Sequence, residues 1–199
     1  MNQLTDEELF KLFQNGDNKS FDKLMIKYQD RITTFIYMYV GDQDLAEDLA
    51  QDTFARVIIK KSTYNEKAGA KFSTWMYTIA KNAAFSALRK KSGRKTDAFS
   101  EIKVGEDQVG KPIEIADSSE NPEDKMMAEF KKNEIYQNLS LLSEEFKIIM
   151  ILRDIQELSY DNISIILEVP IGTVKSRLNR ARLKLLDILK EKGTIWNEC

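Results

Sequence analysis

From Phe21 to Tyr39 apolar side chains return every third or fourth residue: Phe21, Leu24, Met25, Tyr28, Ile32, Phe35, Ile36 and Tyr39. That spacing lays them along one side of an α-helix for about five turns, whereas a strand would scatter them over both faces. Only eight Gly and three Pro occur among 199 residues, so long helices are open to the rest of the chain as well. An all-α architecture is expected. Ahead of the long helix, Thr5-Asp6-Glu7-Glu8 reads as a capping box, with Leu4 and Leu9 placed as a hydrophobic staple. Gly41-Asp42 breaks the long helix. A third helix, about 43–61, would turn Leu45, Leu49, Phe54, Val57 and Ile58 inward and Asp44, Glu47, Asp48, Gln51 and Asp52 outward. A fourth, about 72–91, buries Phe72, Met76, Ile79 and Ala83 and ends on Arg89-Lys90-Lys91, with Gly93 as C-cap. Cations at that end suit the negative pole of a helix.

Residues 94 to about 120 lose all periodicity and contain Gly105, Gly110, Pro112 and Ser118-Ser119. The chain therefore divides into a first helical domain at 1–93, a flexible linker at 94–120 and a second helical domain at 121–199. A length of 199 residues suffices for two cores of about 70–90 residues each. Asn121-Pro122-Glu123-Asp124 reopens a helix, and Ser143 to about Gln156 carries Phe146, Ile149, Met150, Leu152 and Ile155 at helical spacing. Ser159 caps a short helix over about 160–167, Glu168-Val169-Pro170 makes a turn, and a last helix runs from Ile171 to about 191. A short helix, a tight turn and a longer basic helix form the helix-turn-helix pattern.

Several chemistries are excluded by composition. There is no histidine, which removes the commonest general base and metal ligand, and the single cysteine, Cys199, forbids an internal disulfide. No phosphate-cradling glycine loop or calcium-loop pattern is present, so no catalytic residue, metal or cofactor is expected. No apolar run approaches the roughly 20 residues of a membrane span, and the opening MNQLTDEELF is polar and acidic; no membrane insertion and a cytoplasmic location are expected.

The formal net charge of −2 conceals two basic windows. Between Val169 and Leu186 stand Lys175, Arg177, Arg180, Arg182 and Lys184 with no acid. On the last helix Val174, Leu178, Ala181 and Leu185 form the inward seam, while Thr173, Lys175, Ser176, Asn179 and Arg180 lie away from it. A helix fits the major groove, where Arg and Asn pair bidentately with purine edges and Ser and Thr bond to bases or phosphates. Arg177, Arg182 and Lys184 are better placed as flanking phosphate contacts. The bland alternative, a solvated basic face, is weakened by the short helix and turn in register before it.

Between Lys67 and Thr96 stand Lys67, Lys71, Lys81, Arg89, Lys90, Lys91, Arg94 and Lys95, again with no acid. Here the aromatics Phe72, Trp75, Tyr77 and Phe85 interleave with the cations. Phe72 belongs to the core stripe and Trp75 is open to joining it, but Tyr77, Lys81 and Asn82 are less easily explained as packing. Aromatics beside cations suit unpaired or flipped bases, which need a stacking surface and a phosphate track. The acidic third helix reads either as a solvated face or as a docking face for a basic protein partner.

Four segments together resemble the extracytoplasmic-function sigma factors, the small bacterial sigma factors that keep only conserved regions 2 and 4. They are FDKLMIKYQDRITTFIY, DQDLAEDLAQDTFARV, FSTWMYTIAKNAAFSALRKK and LSEEFKIIMILRDIQELSYDNISIILEVPIGTVKSRLNRARLKL, in the family's order and spacing, over about 21–91 and 139–190. The resemblance implies a region 2-like helical bundle and a region 4-like helix-turn-helix domain, with core RNA polymerase and promoter DNA as partners, and it suggests an anti-sigma factor as a third. It implies that Asp48, Gln51 and Asp52 dock onto a coiled coil of the largest polymerase subunit. Tyr77, Lys81, Asn82, Arg89 and Lys90 match the segment that captures and melts the −10 element. Lys175, Ser176, Asn179 and Arg180 match the positions that read the −35 element, with Thr173 and Arg177 beside them. One departure stands out: the family commonly has Gly before the helix-turn-helix turn, where this chain has Glu168. Either the turn accepts a non-Gly residue at some strain or its shape differs.

Two rivals share parts of this pattern. A stand-alone helix-turn-helix regulator would dimerise on a palindrome and leaves the first basic window unexplained. An enzyme using Asp44, Asp48 and Asp52 would need a divalent metal, and no second acidic cluster completes a cage.

Overall fold

The computed structural model describes residues 4–64, 71–91 and 132–192. Within them the regular structure is helical, in two groups that pack on one another. Helix α1 (Asp6–Gln14) starts on the capping box: Thr5 Oγ1 accepts from the Glu8 N–H at 3.2 Å, and Glu8 Oε2 accepts from the Thr5 N–H at 2.8 Å. Leu4 stays 48% exposed while Leu9 is buried, so the expected staple buries one of its two residues. Helix α2 (Asn18–Val40) buries the stripe read from the sequence, with Met25 half-buried. It ends at Gly41, whose φ of +79° is left-handed. Gly41 has a second reason to lack a side chain, because a Cβ there would lie 1.8 Å from the Tyr136 hydroxyl of the other helical group.

Helix α3 (Gln43–Ile59) begins at Asp42, whose carboxylate accepts from the Leu45 N–H at 3.1 Å. Its inward face is narrower than the apolar pattern suggests. Ala46, Ala50, Thr53, Phe54 and Val57 are buried, Leu45 and Leu49 are half-buried, and Ile58 points out at 45% exposure. Small residues on this face let α3 lie close against α2 and α4, which leaves the larger Leu side chains at the flank. Helix α4 (Phe72–Lys91) runs through the middle and touches α1, α2 and α3. An aromatic cluster closes the bundle end: Phe10 lies 4.6 Å from Phe72 and 5.5 Å from Trp75 between ring centroids, and Tyr64 meets Phe10 edge-on at 5.2 Å. Trp75, half-buried, thus packs against the core. Such pairs add roughly 0.5–1.5 kcal/mol each beyond area burial.

In the second group, α5 (132–139) leads into α6 (Glu144–Met150), which continues as one wide π-type turn, Ile151–Ile155. The Gln156 N–H closes that turn on the Ile151 carbonyl at 2.9 Å, and Glu157 follows at φ +58°. Ser159 Oγ caps α7 (Tyr160–Leu167) by accepting from the Asn162 N–H at 3.2 Å. Glu168 then adopts φ +58° and ψ +41°. Its N–H reaches the Ile165 carbonyl at 3.3 Å, the next N–H, of Val169, reaches Ser164 at 3.1 Å, and Ser164 Oγ donates to the Val169 carbonyl at 2.6 Å. This is the Schellman closure with Glu in the place Gly usually takes. The turn therefore keeps its ordinary shape and accepts the strain of a side chain at positive φ. Helix α8 (Ile171–Glu191) buries Val174, Leu178 and Ala181 against α6 and α7, with Leu185 half-buried. The linker at 94–120, the helix start at Asn121 and the Gly93 cap lie outside the described residues.

Candidate nucleic-acid and polymerase interfaces

Because the seam of α8 is turned inward, its other side is presented outward. Lys175, Ser176, Asn179 and Arg180 are exposed, and Thr173 is half-buried at the first turn. Side-chain hydrogen bonds shape this face: Ser176 Oγ donates to the Thr173 carbonyl at 3.1 Å, and Arg180 reaches the Ser176 carbonyl through Nε at 3.4 Å and the Ser176 hydroxyl at 3.5 Å. The flanking cations are not all available in the same way. Arg177 lies 3.4 Å from Glu145, and Arg182 is held by Asp154, with its Nε 3.3 Å from the second carboxylate oxygen. That contact raises the Arg182 pKa above its already high ordinary value. Both acids sit on α6 and its π-type turn, so these arginines tie α8 to the helix that supports it.

On α3, Asp48 and Gln51 are exposed. Asp52 is half-buried and bonds Arg56 one turn on, at 2.7 Å. Asp44 and Glu47 are exposed on the same helix, and Glu47 Oε1 accepts from Gln43 at 2.6 Å. The face is acidic and accessible, and its N-terminal end meets the second helical group, where Lys132 Nζ donates to Gln43 Oε1 at 3.2 Å.

The α4 window is divided. Asn82, Arg89 and Lys90 are exposed. Tyr77 and Lys81 are buried, at 0% and 7% exposure, which corrects the reading that they are hard to explain as packing. The Tyr77 ring meets Phe35 edge-on at 5.4 Å, and its hydroxyl donates to Gln156 Oε1 at 2.5 Å. Burial pushes the Tyr77 pKa up to about 12, opposed by the neighbouring Arg31 guanidinium. Lys81 Nζ donates to the Ile166 carbonyl at 2.7 Å and lies 3.4 Å from Glu168 Oε1. Further ties run from α2: Arg31 donates to the Gln156 carbonyl at 2.8 Å, Lys147 Nζ donates to the Tyr39 carbonyl at 3.0 Å, and Tyr37 bonds Asn133. Among the described residues no group of three or more metal-ligating side chains gathers, and no helix is long and apolar enough to cross a membrane.

The family profile for Sigma-70 region 2 matches residues 24–94, and that for Sigma-70 region 4 matches residues 132–185. The chain is 31% identical over 182 residues to the RNA polymerase sigma-H factor of Pseudomonas aeruginosa, covering 92% of each chain. It is 32% identical over 182 residues to the ECF RNA polymerase sigma factor SigW of Bacillus subtilis, covering 91% of this chain and 95% of that one. This chain belongs to the extracytoplasmic-function sigma factors. Solved structures share the fold. CnrH, solved in complex with the cytosolic domain of CnrY, superposes with a TM-score of 0.70 at 17% identity, over 94% of this chain and 97% of that one. The sigma factor RpoE of Bartonella quintana, solved with the anti-sigma factor NepR, gives 0.60 at 24%, over 86% and 98%.

As a sigma factor the chain binds core RNA polymerase and promoter DNA and directs transcription initiation. Sequence reasoning missed Arg31, Lys147, Gln156 and the reach of Glu168, all of which act between the two domains. Two signals pointed towards them without naming a contact. Glu168 departs from the family's Gly, and Tyr77 and Lys81 were less easily explained as packing.

Proposed function

We propose that this sigma factor works in the cytoplasm without catalytic groups of its own, as a bivalent promoter-reading subunit. Its parts are a domain at 1–93, a flexible linker at 94–120 and a domain at 121–199. In this reading the acidic face of α3, with Asp48, Gln51 and Asp52, docks onto core polymerase. The α4 face, with Tyr77, Lys81, Asn82, Arg89 and Lys90, captures and melts the −10 element. Helix α8 reads the −35 element through Lys175, Ser176, Asn179 and Arg180, with Thr173 and Arg177 at its flank. The observation that carries the proposal is the outward face of α8, four exposed groups with base- and phosphate-bonding chemistry over a buried seam. The linker lets both DNA-binding faces engage at once, so neither needs high affinity alone. Because CnrH and RpoE were each solved with a protein partner, an anti-sigma factor is part of the reading.

The test is reconstitution with bacterial core polymerase on a promoter library. Run-off transcripts that depend on this chain are expected, and their absence would overturn the proposal. Asp48→Ala with Gln51→Ala should weaken binding to core polymerase while leaving the thermal melt of the free chain unchanged. An unchanged polymerase affinity would remove the docking assignment.

A further inference from the structure

Helix α4 has no capping side chain of its own. Lys71, the residue before it, carries no side-chain acceptor, and the first helical bond runs from the Trp75 N–H to the Lys71 carbonyl at 3.1 Å. The acceptor comes from α1, 65 residues upstream, where Glu7 Oε1 takes the Phe72 N–H at 3.0 Å. A carboxylate in that place also meets the positive pole of α4. The same helix grips the far end of α3. Past α3 the chain makes a short 3-10 turn, Lys61–Thr63. The Gln14 side-chain amide donates to the Lys61 carbonyl at 2.5 Å and to the Tyr64 carbonyl at 3.2 Å. Phe10 sits between, its ring centre 4.6 Å from that of Phe72 and 5.2 Å from that of Tyr64. Glu7, Phe10 and Gln14 are spaced i, i+3, i+7 and so share one side of α1.

The acids on either side of Glu7 are committed elsewhere. Asp6 accepts from the Tyr28 hydroxyl at 2.5 Å and pairs with Lys27 at 2.6 Å, which ties α1 to α2. Glu8 closes the capping box on Thr5. Three consecutive carboxylates thus serve three different helices, and Glu7 is the one given to α4. Hydrogen bonds fix direction as well as distance. With Glu7 on one backbone and Gln14 on the other, α1 holds the start of α4 and the end of α3 in one relation.

We propose that Glu7 and Gln14 are positioning residues for promoter opening, holding the first turn of α4, and with it the DNA face, in register with the α3 face on polymerase. The inference rests on the α3 and α4 assignments made above. Neither side chain needs to touch DNA or polymerase, because each acts through the backbone it holds. Without them the buried Leu9, Phe10 and Phe13 still seat α1, so the bundle stays folded and the α3 face still docks. What is lost is the fixed start of α4. Each opening attempt then begins from a spread of α4 positions, and fewer of them are productive.

The test uses holoenzyme reconstituted from core polymerase and the full-length chain, on a promoter recovered from the library. Permanganate reactivity of thymines in the −10 element, sampled over time, reports strand opening, and anisotropy of the labelled chain reports polymerase binding. Glu7→Ala and Gln14→Ala should each slow opening by about three- to tenfold, the range to which loss of a helix cap corresponds. Polymerase affinity should not change. Glu7→Gln, which keeps the acceptor oxygen, should restore most of the native rate. Tyr28→Phe is the control for general loosening: it removes the hydroxyl held by Asp6 and leaves the ring in place, so it should lower the thermal melt without slowing opening. Native opening rates in both alanine variants, or equal slowing by Tyr28→Phe, would overturn the positioning role. If circular dichroism shows Glu7→Ala unfolded, Gln14→Ala decides alone, slow opening supporting the proposal and a native rate overturning it. Asn82→Ala with Arg89→Ala separates this from the α4 assignment. Opening at the native rate in that variant would remove the −10 assignment and the present proposal with it. Slow opening there beside native rates in Glu7→Ala and Gln14→Ala would remove the positioning role alone.

Discussion

Helices α4 and α8 carry similar side chains, cations interleaved with Asn, Ser and apolar residues in acid-free windows, but the fold treats them differently. Helix α8 packs along one seam, Val174, Leu178 and Ala181, and shows the other side to solvent. Helix α4 has neighbours nearly all round: α1, α2 and α3 on one side, α7 on the other. Phe72, Met76, Tyr77, Ala80, Lys81 and Ala84 are all buried as a result. A basic window therefore shows that a helix can carry a polyanion face, while the number of helices packed around it decides whether that face is open. The difference also separates two roles for cations. On α8 most remain at the surface, whereas on α4 Lys81 is spent on a carbonyl of the partner domain.

The largest expected effect tests whether α8 depends on its one seam. Leu178→Ala should cost about 2–5 kcal/mol through the cavity it leaves, seen as earlier urea unfolding of the second domain. A shift of the first domain by the same amount would mean that the two share one core. Next in size is a base contact on the open face. Arg180→Ala should lose about 1–3 kcal/mol on the cognate −35 sequence and little on scrambled DNA, measured with reconstituted holoenzyme. A uniform loss would assign it to phosphate.

A graded effect belongs to the covered side. Lys147 is buried, with its ammonium 4.5 Å from the Tyr136 ring centre and 5.9 Å from that of Tyr39, and burial lowers its pKa from 10.5 to about 8, opposed by Glu144. Between these values the unfolded chain binds the proton and the folded chain does not, so stability should rise as pH climbs from 8 towards 10. Above pH 10 the buried Tyr28, Tyr39 and Tyr77 reverse the trend, because burial raises their pKa values above the ordinary 10.0. Lys147→Met should flatten the rise in urea titrations at pH 8 and 9.5; an undiminished rise would assign it to another group. The smallest effect concerns the exposed brace: Glu145→Ala, which frees Arg177, should change stability by less than about 1 kcal/mol and lose its effect in high salt.

Legibility followed the range of the interactions. Capping at Thr5, the stripe of α2, the short helix at 160–167 and the seam of α8 were readable, because each depends on residues within one or two turns. The inward face of α3 was readable only in part. It includes buried Ala46 and Ala50, small residues that a search for large apolar side chains passes over, while Ile58 was left exposed. The acidic face and the outward groups of α8 were readable as chemistry. Their accessibility became definite only once the packing sides were known.

The sequence alone determined that the chain is helical, that it carries two basic windows, and that its last helix follows a turn. Periodicity and capping are local properties that survive without knowledge of the partner surfaces. The tertiary structure decided what happens to the first window, because the pairing of Tyr77 with Gln156 spans 79 residues and that of Lys81 with the end of α7 spans 85. It also gave Glu168 its place, showing a side chain held at a left-handed turn beside a lysine of the other domain. Contacts over such separations have no period, so only the folded arrangement shows that α8 is open while part of α4 is covered.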